Sequence, residues 1–389
     1  MKAWEETTIG DLCARVTSGG TPLTSRKEFY ENGTIPWLKT TEVHKEVIHN
    51  TETYITEEGL KNSSAKLIPA NSIVVAMYGD GGTAGKAAIT KIPLTTNQAC
   101  CNLVIDELKA DYSFVYYYLK VNYDNIVNLK TGGSQQNLNA LTIKKFPIQI
   151  PPLPTQHRIA SILSAYDDLI EVNNQRIKLL EQTARELYKE WFVRMRFPDY
   201  KKTKFKKGIP EGWEVKKLDE VMEFKTGKLN SNAAKEEGKY PFFTCSNTTF
   251  KTDTYSFNTE AVLLAGNNAA GIYPLKYFNG KFDAYQRTYI IKPKDDKLSH
   301  KYIYHYFLER LEFLQVISIG AATQFLTTQM LKKLLILIPD KIAMDKFSKI
   351  ADPIFEQLQI LQQQNTQLRQ IRDRLLPRLV SGKLQVKGV

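Results

Sequence analysis

Two short stretches of this 389-residue chain carry residue types that could do chemistry. The first is YGDGGTAGKAAI (78–89), a glycine-rich loop ending in Gly-Lys directly after the apolar run SIVVAM. A phosphate-cradling loop needs four residues between its first Gly and the Gly-Lys pair, then Ser or Thr for magnesium. Here Asp80 stands where that first Gly belongs, and Ala87 where the hydroxyl belongs. A carboxylate repels a triphosphate, and the following AAITKIPLTTNQACC has no helical period that would supply a helix N-terminus. The loop therefore reads as a strand-to-strand turn. The second stretch is Pro198-Asp199 followed by Glu237-Gly238-Lys239, a loose match to the Pro-Asp…Glu-x-Lys pattern of metal-dependent nucleases. Both pieces fall in linker or loop composition, where such short patterns arise by chance. An adenine methyltransferase would need an Asn/Asp-Pro-Pro-aromatic motif, but Pro151-Pro152 sits in IQIPPLP. Cys13, Cys100, Cys101 and Cys245 show no C-x-x-C spacing, and His300 and His305 share no helical face. No catalytic, cofactor-binding or metal-binding residue is assigned.

Composition points elsewhere. The hydrophobic fraction of 42% and charged fraction of 24% are those of a globular protein, and the length allows two domains. A formal net charge of +12 makes a polyanion the first partner to consider. MKAWEETTIG lacks a signal-peptide core, and no later run approaches the ~18 apolar residues of a membrane span. The expected location is cytoplasmic, with reduced cysteines and no membrane partner.

The elements that would position any site appear twice. Trp4-Glu5, Ile9, Asp11 and Thr17 line up with Trp213-Glu214, Leu218, Glu220 and Thr226 at an offset of 209. IPWLKTTE (35–42) resembles YPFFTCSN (240–247). From residue 73 the offset is 188: SQQNLNALTIKKFPIQIP (134–151) meets ATQFLTTQMLKKLLILIP (322–339). The first copy is thus 21 residues longer, all before residue 73. The glycine loop recurs as LLAGNNAAGIYP (263–274), where Lys86 falls on Pro274. A nucleotide site would depend on that lysine; a turn would not.

After each copy comes a heptad seam. Ile159, Leu163, Tyr166, Ile170, Asn173, Ile177, Leu180, Ala184, Leu187 and Trp191 are spaced alternately four and three. The offset of 188 gives Phe347, Ala351, Ile354, Leu358, Leu361, Asn365, Leu368, Arg372, Leu375 and Leu379. Each predicted helix is roughly 50 Å long and needs a partner for its stripe, and the simplest partner is the other helix. Asn173 and Asn365 stand where a buried amide pair can fix register. Because the first helix leaves the first domain and the second begins where the second domain ends, side-by-side packing would be antiparallel. The expected fold is mixed α/β: two similar domains separated by a two-helix antiparallel coiled coil in a pseudo-two-fold, circular arrangement. A rod of this length suits two readers in successive DNA major grooves. Unlike domains would read unlike half-sites of an asymmetric target.

IPEGWEVKKLDEV (209–221), IPPLPTQHRIASIL (150–163), LLPRLVSGKLQV (375–386) and GGTAGKAAI…TNQACC together resemble the specificity subunit of type I restriction–modification enzymes. The resemblance spans nearly the whole chain. It implies a target-recognition domain at 1–150, a long helix and linker at 151–208, a second recognition domain at 209–338, and a second helix with tail at 339–389. It also implies a non-catalytic chain that binds double-stranded DNA and docks two modification subunits on its helices. S-adenosylmethionine for adenine methylation would sit in those partners, and ATP with Mg in a restriction subunit; no cofactor is expected in this chain. Two departures are Arg372, a charge in the second seam, and the ending KLQVKGV. Arg372 would either weaken pairing there or snorkel.

Small polar and basic residues at domain edges can contact phosphates and bases. In the first domain these are Lys39, Thr40, Thr41, Lys86, Lys130, Ser134, Gln135, Gln136 and Asn137. In the second they are Lys228, Ser246, Asn247, Asn267, Asn268, Arg287 and Gln324. Gln136 and Gln324 occupy equivalent positions and fit a structural role as well. The run KKTKFKK (201–207) is either a phosphate track or a soluble linker. The alternatives are the specificity subunit of a type IIB-like restriction system, a coiled-coil assembly scaffold, or a nuclease.

Overall fold

The computed structural model describes residues 4–79, 82–130, 137–268, 271–320 and 324–386. The chain divides into two compact units, one of residues 1–172 with 364–389 and one of residues 173–363. Each long helix therefore contributes to both.

The first unit is built on a five-stranded sheet in the order Cys13–Ser18, Cys100–Ile105, Ile73–Ala76, Ala87–Thr90, Val47–Ile48. Ile73, Val74, Val75 and Ala76 are all fully buried, so both sheet faces are covered. That is why this strand reads as a continuous β-branched run rather than an alternating one. On one face Ile73 and Val75 pack with Phe114, Val115 and Tyr117 of the helix Tyr112–Val121. On the other, Val74 and Ala76 pack with Leu38, Val43 and Ile48. The Asp111 side chain accepts a hydrogen bond from the Phe114 amide and starts that helix. Glu5–Thr8 pairs antiparallel with Pro147–Ile150 just before the first long helix.

The second unit repeats this plan. Its sheet runs Met222–Thr226, Thr288–Pro293, Phe257–Ala265, Leu275–Ala284, Tyr240–Phe243, Phe250–Thr252, and its first four strands match the first unit's order. Glu214–Lys217 pairs with Leu335–Ile338 as Glu5–Thr8 does with Pro147–Ile150. The helix His300–Leu308, capped by Ser299, takes the place of Tyr112–Val121. The difference lies where the first copy is longer. There a 3-10 turn, Thr40–Lys45, and the short strand Val47–Ile48 occupy the sheet edge, and Ile35–Leu38 joins a separate three-stranded sheet. In the second unit Tyr240–Phe243 pairs directly with Leu275–Ala284.

The glycine loop connects the antiparallel strands Ile73–Ala76 and Ala87–Thr90, so it is a hairpin turn; its counterpart connects Phe257–Ala265 to Leu275–Ala284.

The long helices span Leu153–Tyr188 and Lys341–Val380. A π-helical segment, Lys189–Val193, extends the first and carries Trp191. In the first unit Ile159, Ala160 and Leu163, near the start of one helix, share a core with Leu376, Leu379 and Val380 at the end of the other. In the second unit Trp191 and Phe192, past the end of the first helix, pack edge-on against Phe347 near the start of the second. Within each unit the two helices therefore run antiparallel. Every seam position is buried or half-buried. Asn173 and Asn365 are both buried. Arg372 corrects the expectation of a weak or snorkelling site: it is 7% exposed and ion-paired with Asp167. A buried guanidinium is retained because a carboxylate compensates it.

Candidate nucleic-acid interface

In the first unit, Lys39 follows the strand Ile35–Leu38, and its ammonium lies 5.6 Å from the Trp37 ring centroid. The Trp37 indole donates to the Gly20 carbonyl oxygen at 2.9 Å, which fixes the ring beneath the lysine. Thr40 and Thr41 open the 3-10 turn, and His44 Nδ1 contacts the Thr41 carbonyl oxygen. His44, Glu46, Lys86, Lys120 and Tyr123 line one cavity of about 280 Å³, so the inserted turn and the base of the glycine loop meet there. Gly85 has φ +90°, and a Cβ on it would stand 2.8 Å from Val127 Cγ2. This close approach seats the loop on the helix Tyr123–Val127, a few residues before Lys130. The Tyr123 hydroxyl donates to the Gly82 carbonyl oxygen at 2.9 Å. Leu138 donates to the Met77 carbonyl oxygen, which puts Asn137 at the foot of the same loop. Ser134, Gln135 and Gln136 lie outside the described residues.

In the second unit the sequence-predicted residues gather at one end of the sheet. A Cβ at Gly227 would lie 1.9 Å from the Ala284 carbonyl oxygen, so only glycine permits the crossing that carries Lys228 past the end of the strand Leu275–Ala284. Cys245 Sγ contacts Asn267 Oδ1 at 2.9 Å, which joins the Ser246–Asn247 segment to the Asn267–Asn268 strand. Asn268 pairs with Gln324 across a two-stranded ladder, and the Ser318 hydroxyl donates to Gln324 Oε1. Gln324 thus ties Ser318 to the Asn267–Asn268 strand. Arg287 lies 5.3 Å from the Phe325 ring centroid.

Sequence reasoning missed Lys276. Its ammonium donates to the Ser246 carbonyl oxygen at 3.2 Å and to Thr249 Oγ1 at 3.0 Å, and burial lowers its pKa to about 8. It sits inside a strand with no local feature to single it out. Phe325 was adjacent to a named residue, yet its contact with Arg287 appears only in the structure.

Among the described residues, Lys39, Lys86, Lys130, Lys228, Lys276 and Arg287 have no carboxylate partner. Many other basic residues do, including Lys45, Lys120, Arg185 and Lys301. Uncompensated cations beside hydroxyls and amides can bind phosphates and read base edges. Asp199, from the nuclease-like pattern, is instead engaged by Lys346 at 3.1 Å.

The sequence profile described as "Type I restriction modification DNA specificity domain" matches residues 1–182 and 210–370, one match per repeat. The MjaIX specificity subunit of Methanocaldococcus jannaschii is 30% identical, over 99% of this chain and 94% of its own length. The EcoR124I/EcoR124II specificity subunit of Escherichia coli is 33% identical over 42% of this chain and 40% of its own. The crystal structure of the type I restriction–modification S subunit from M. genitalium shares the fold at a TM-score of 0.62 and 20% identity, covering 97% of this chain and 96% of that one. With the duplicated units, the antiparallel helices and these matches together, the chain belongs to the family of type I restriction–modification DNA specificity subunits.

Proposed function

We propose that this chain supplies the sequence specificity of a type I restriction–modification complex, each unit reading one half of a bipartite, asymmetric DNA site. The observation that carries this reading is the repeat itself: four strands in one order, but unlike residues at equivalent positions near the strand ends. Lys39, Thr40 and Thr41 correspond to Thr244, Cys245 and Ser246, and Lys86 corresponds to Pro274. Two scaffolds of one design with different contact residues suit two different half-sites.

The long helices, which run through both units, set the number of unread base pairs and dock two modification subunits. Those partners bring S-adenosylmethionine and methylate adenine; a restriction subunit brings ATP-driven cleavage. The chain itself performs no methyl transfer.

The test is to reconstitute the chain with its modification subunits, expose a random DNA library to S-adenosylmethionine, and map methylated adenines by single-molecule sequencing. The expected motif is two short unlike blocks separated by an unread gap. A continuous or palindromic motif, or methylation by this chain alone, contradicts the reading.

A further inference from the structure

Each unit has a junction where its aromatic helix meets the pair of long helices, and the two junctions are chemically unlike. The repeat offset of 188 equates Tyr117 with His305, Asp167 with Phe355, and Ala184 with Arg372. In the first unit the Tyr117 hydroxyl donates to Asp167 Oδ2 at 2.6 Å, and Arg372 Nη1 donates to Asp167 Oδ1. The side chains of Arg372 and Asp167 are 8% and 18% exposed, and Arg372 also reaches Asp373 at 2.9 Å and Glu46 at 4.0 Å. In the second unit the same three places hold His305, Phe355 and Ala184, all buried. The His305 ring lies against Phe355, with centroids 5.7 Å apart.

We propose that this ionic-versus-apolar difference makes the two repeats pair with each other and rejects pairing of either with a second copy of itself. Because the halves share one seam, like-with-like association between two chains is the natural competitor. Two first halves would set Asp167 against Ala184, leaving a carboxylate with a tyrosine but no cation. Two second halves would set Arg372 against Phe355 and an uncharged histidine, leaving the guanidinium only the exposed Asp373 next to it and no buried anion opposite. Either arrangement deprives a buried charge of its partner across the repeats at both of its junctions; only the unlike pairing supplies that partner. Losing one member of a buried pair weakens folding by about a hundredfold or more, whereas replacing both by fitted apolar groups is often neutral.

The test uses the full-length chain, refolded from denaturant over a concentration series, with mass read by light scattering and stability by urea unfolding. Asp167→Ala and Arg372→Ala should each lower the folding constant by about a hundredfold. The double variant Asp167→Phe with Arg372→Ala copies the second junction. It should recover most of that loss, yet form dimers and larger species at concentrations where the native chain refolds as one species. The reversed pair, Asp167→Arg with Arg372→Asp, should refold like the native chain. Identical mass distributions for the native and apolar double variants overturn the proposal. If the apolar variant does not fold, the reversed pair decides: recovery of the native species supports the proposal, and failure like that of the single variants overturns it.

Discussion

Lys276 donates to the Ser246 carbonyl oxygen at 3.2 Å, binding the start of the strand Leu275–Ala284 to the segment that carries the second unit's polar candidates. Burial lowers the pKa of this ammonium to about 8, so it is mostly charged at neutral pH but loses its proton within the next two pH units. A nearby DNA phosphate favours the charged form, while raising the pH through 8 removes it. We expect DNA affinity to fall between pH 7 and 9 in the native chain, and Lys276→Met to flatten that dependence. The variant should also reduce the salt slope of binding by about one. Stability moves the other way. The unfolded lysine keeps its proton up to its ordinary value near 10.4, so the fold gains stability from about pH 8 to 10. Fluorescence anisotropy over pH and salt checks the first expectation, and urea titrations check the second.

His305 predicts acid sensitivity. Burial, with a smaller contribution from Arg185, lowers its pKa to about 3, and neither ring nitrogen has a hydrogen-bond partner among the described residues. Its folded-state pKa lies below the unfolded value near 6.5, so its full stability is present above pH 6.5 and is lost as the pH falls toward 3. At pH 5 the loss is about 2 kcal/mol. His305→Phe, which keeps a ring against Tyr188 and Phe355, should remove that slope. Unchanged acid melting of the variant would assign the slope to other groups.

Gly85 predicts a loop defect confined to one unit. Gly85→Val would place a Cβ at φ +90° and 2.8 Å from Val127 Cγ2, which strains the backbone and displaces the turn. We expect a stability loss of about 1–3 kcal/mol and weaker recognition of one half-site only. Methylome mapping with the variant reads this directly. Loss of both half-sites together would show that the glycine supports the whole chain rather than its own unit.

The long helices predict a ruler. Inserting one heptad into each, after Val172 and after Gln363, adds about 10 Å of helix while keeping both seams in phase. The unread gap should lengthen by about three base pairs, with both half-sites unchanged. Mapped motifs with altered half-sites would contradict it.

The duplication and the two long helices were legible because both are one-dimensional signals. Self-similarity at a constant offset and apolar residues every three or four positions survive in sequence whatever the fold does with them. The reading of YGDGGTAGKAAI as a turn followed from Lys86 meeting Pro274, and the hairpin between Ile73–Ala76 and Ala87–Thr90 agrees. The site was legible only as a list of polar residues near strand ends. That Lys228, Asn267, Arg287 and Gln324 gather at one sheet end depends on pairings such as Asn268 with Gln324, which no local pattern encodes.

Arg372 marks the limit of what the chain's order of residues could settle. Read alone it is a charge in an apolar stripe, and periodicity says only that it faces inward. Its partner Asp167 lies 205 residues away and off the seam, and the tyrosine sharing that carboxylate comes from a third helix. Spacing along a chain determines which side of a helix is buried. Whether a buried charge is tolerated depends on what stands opposite it, and that was decided only when the two repeats came together.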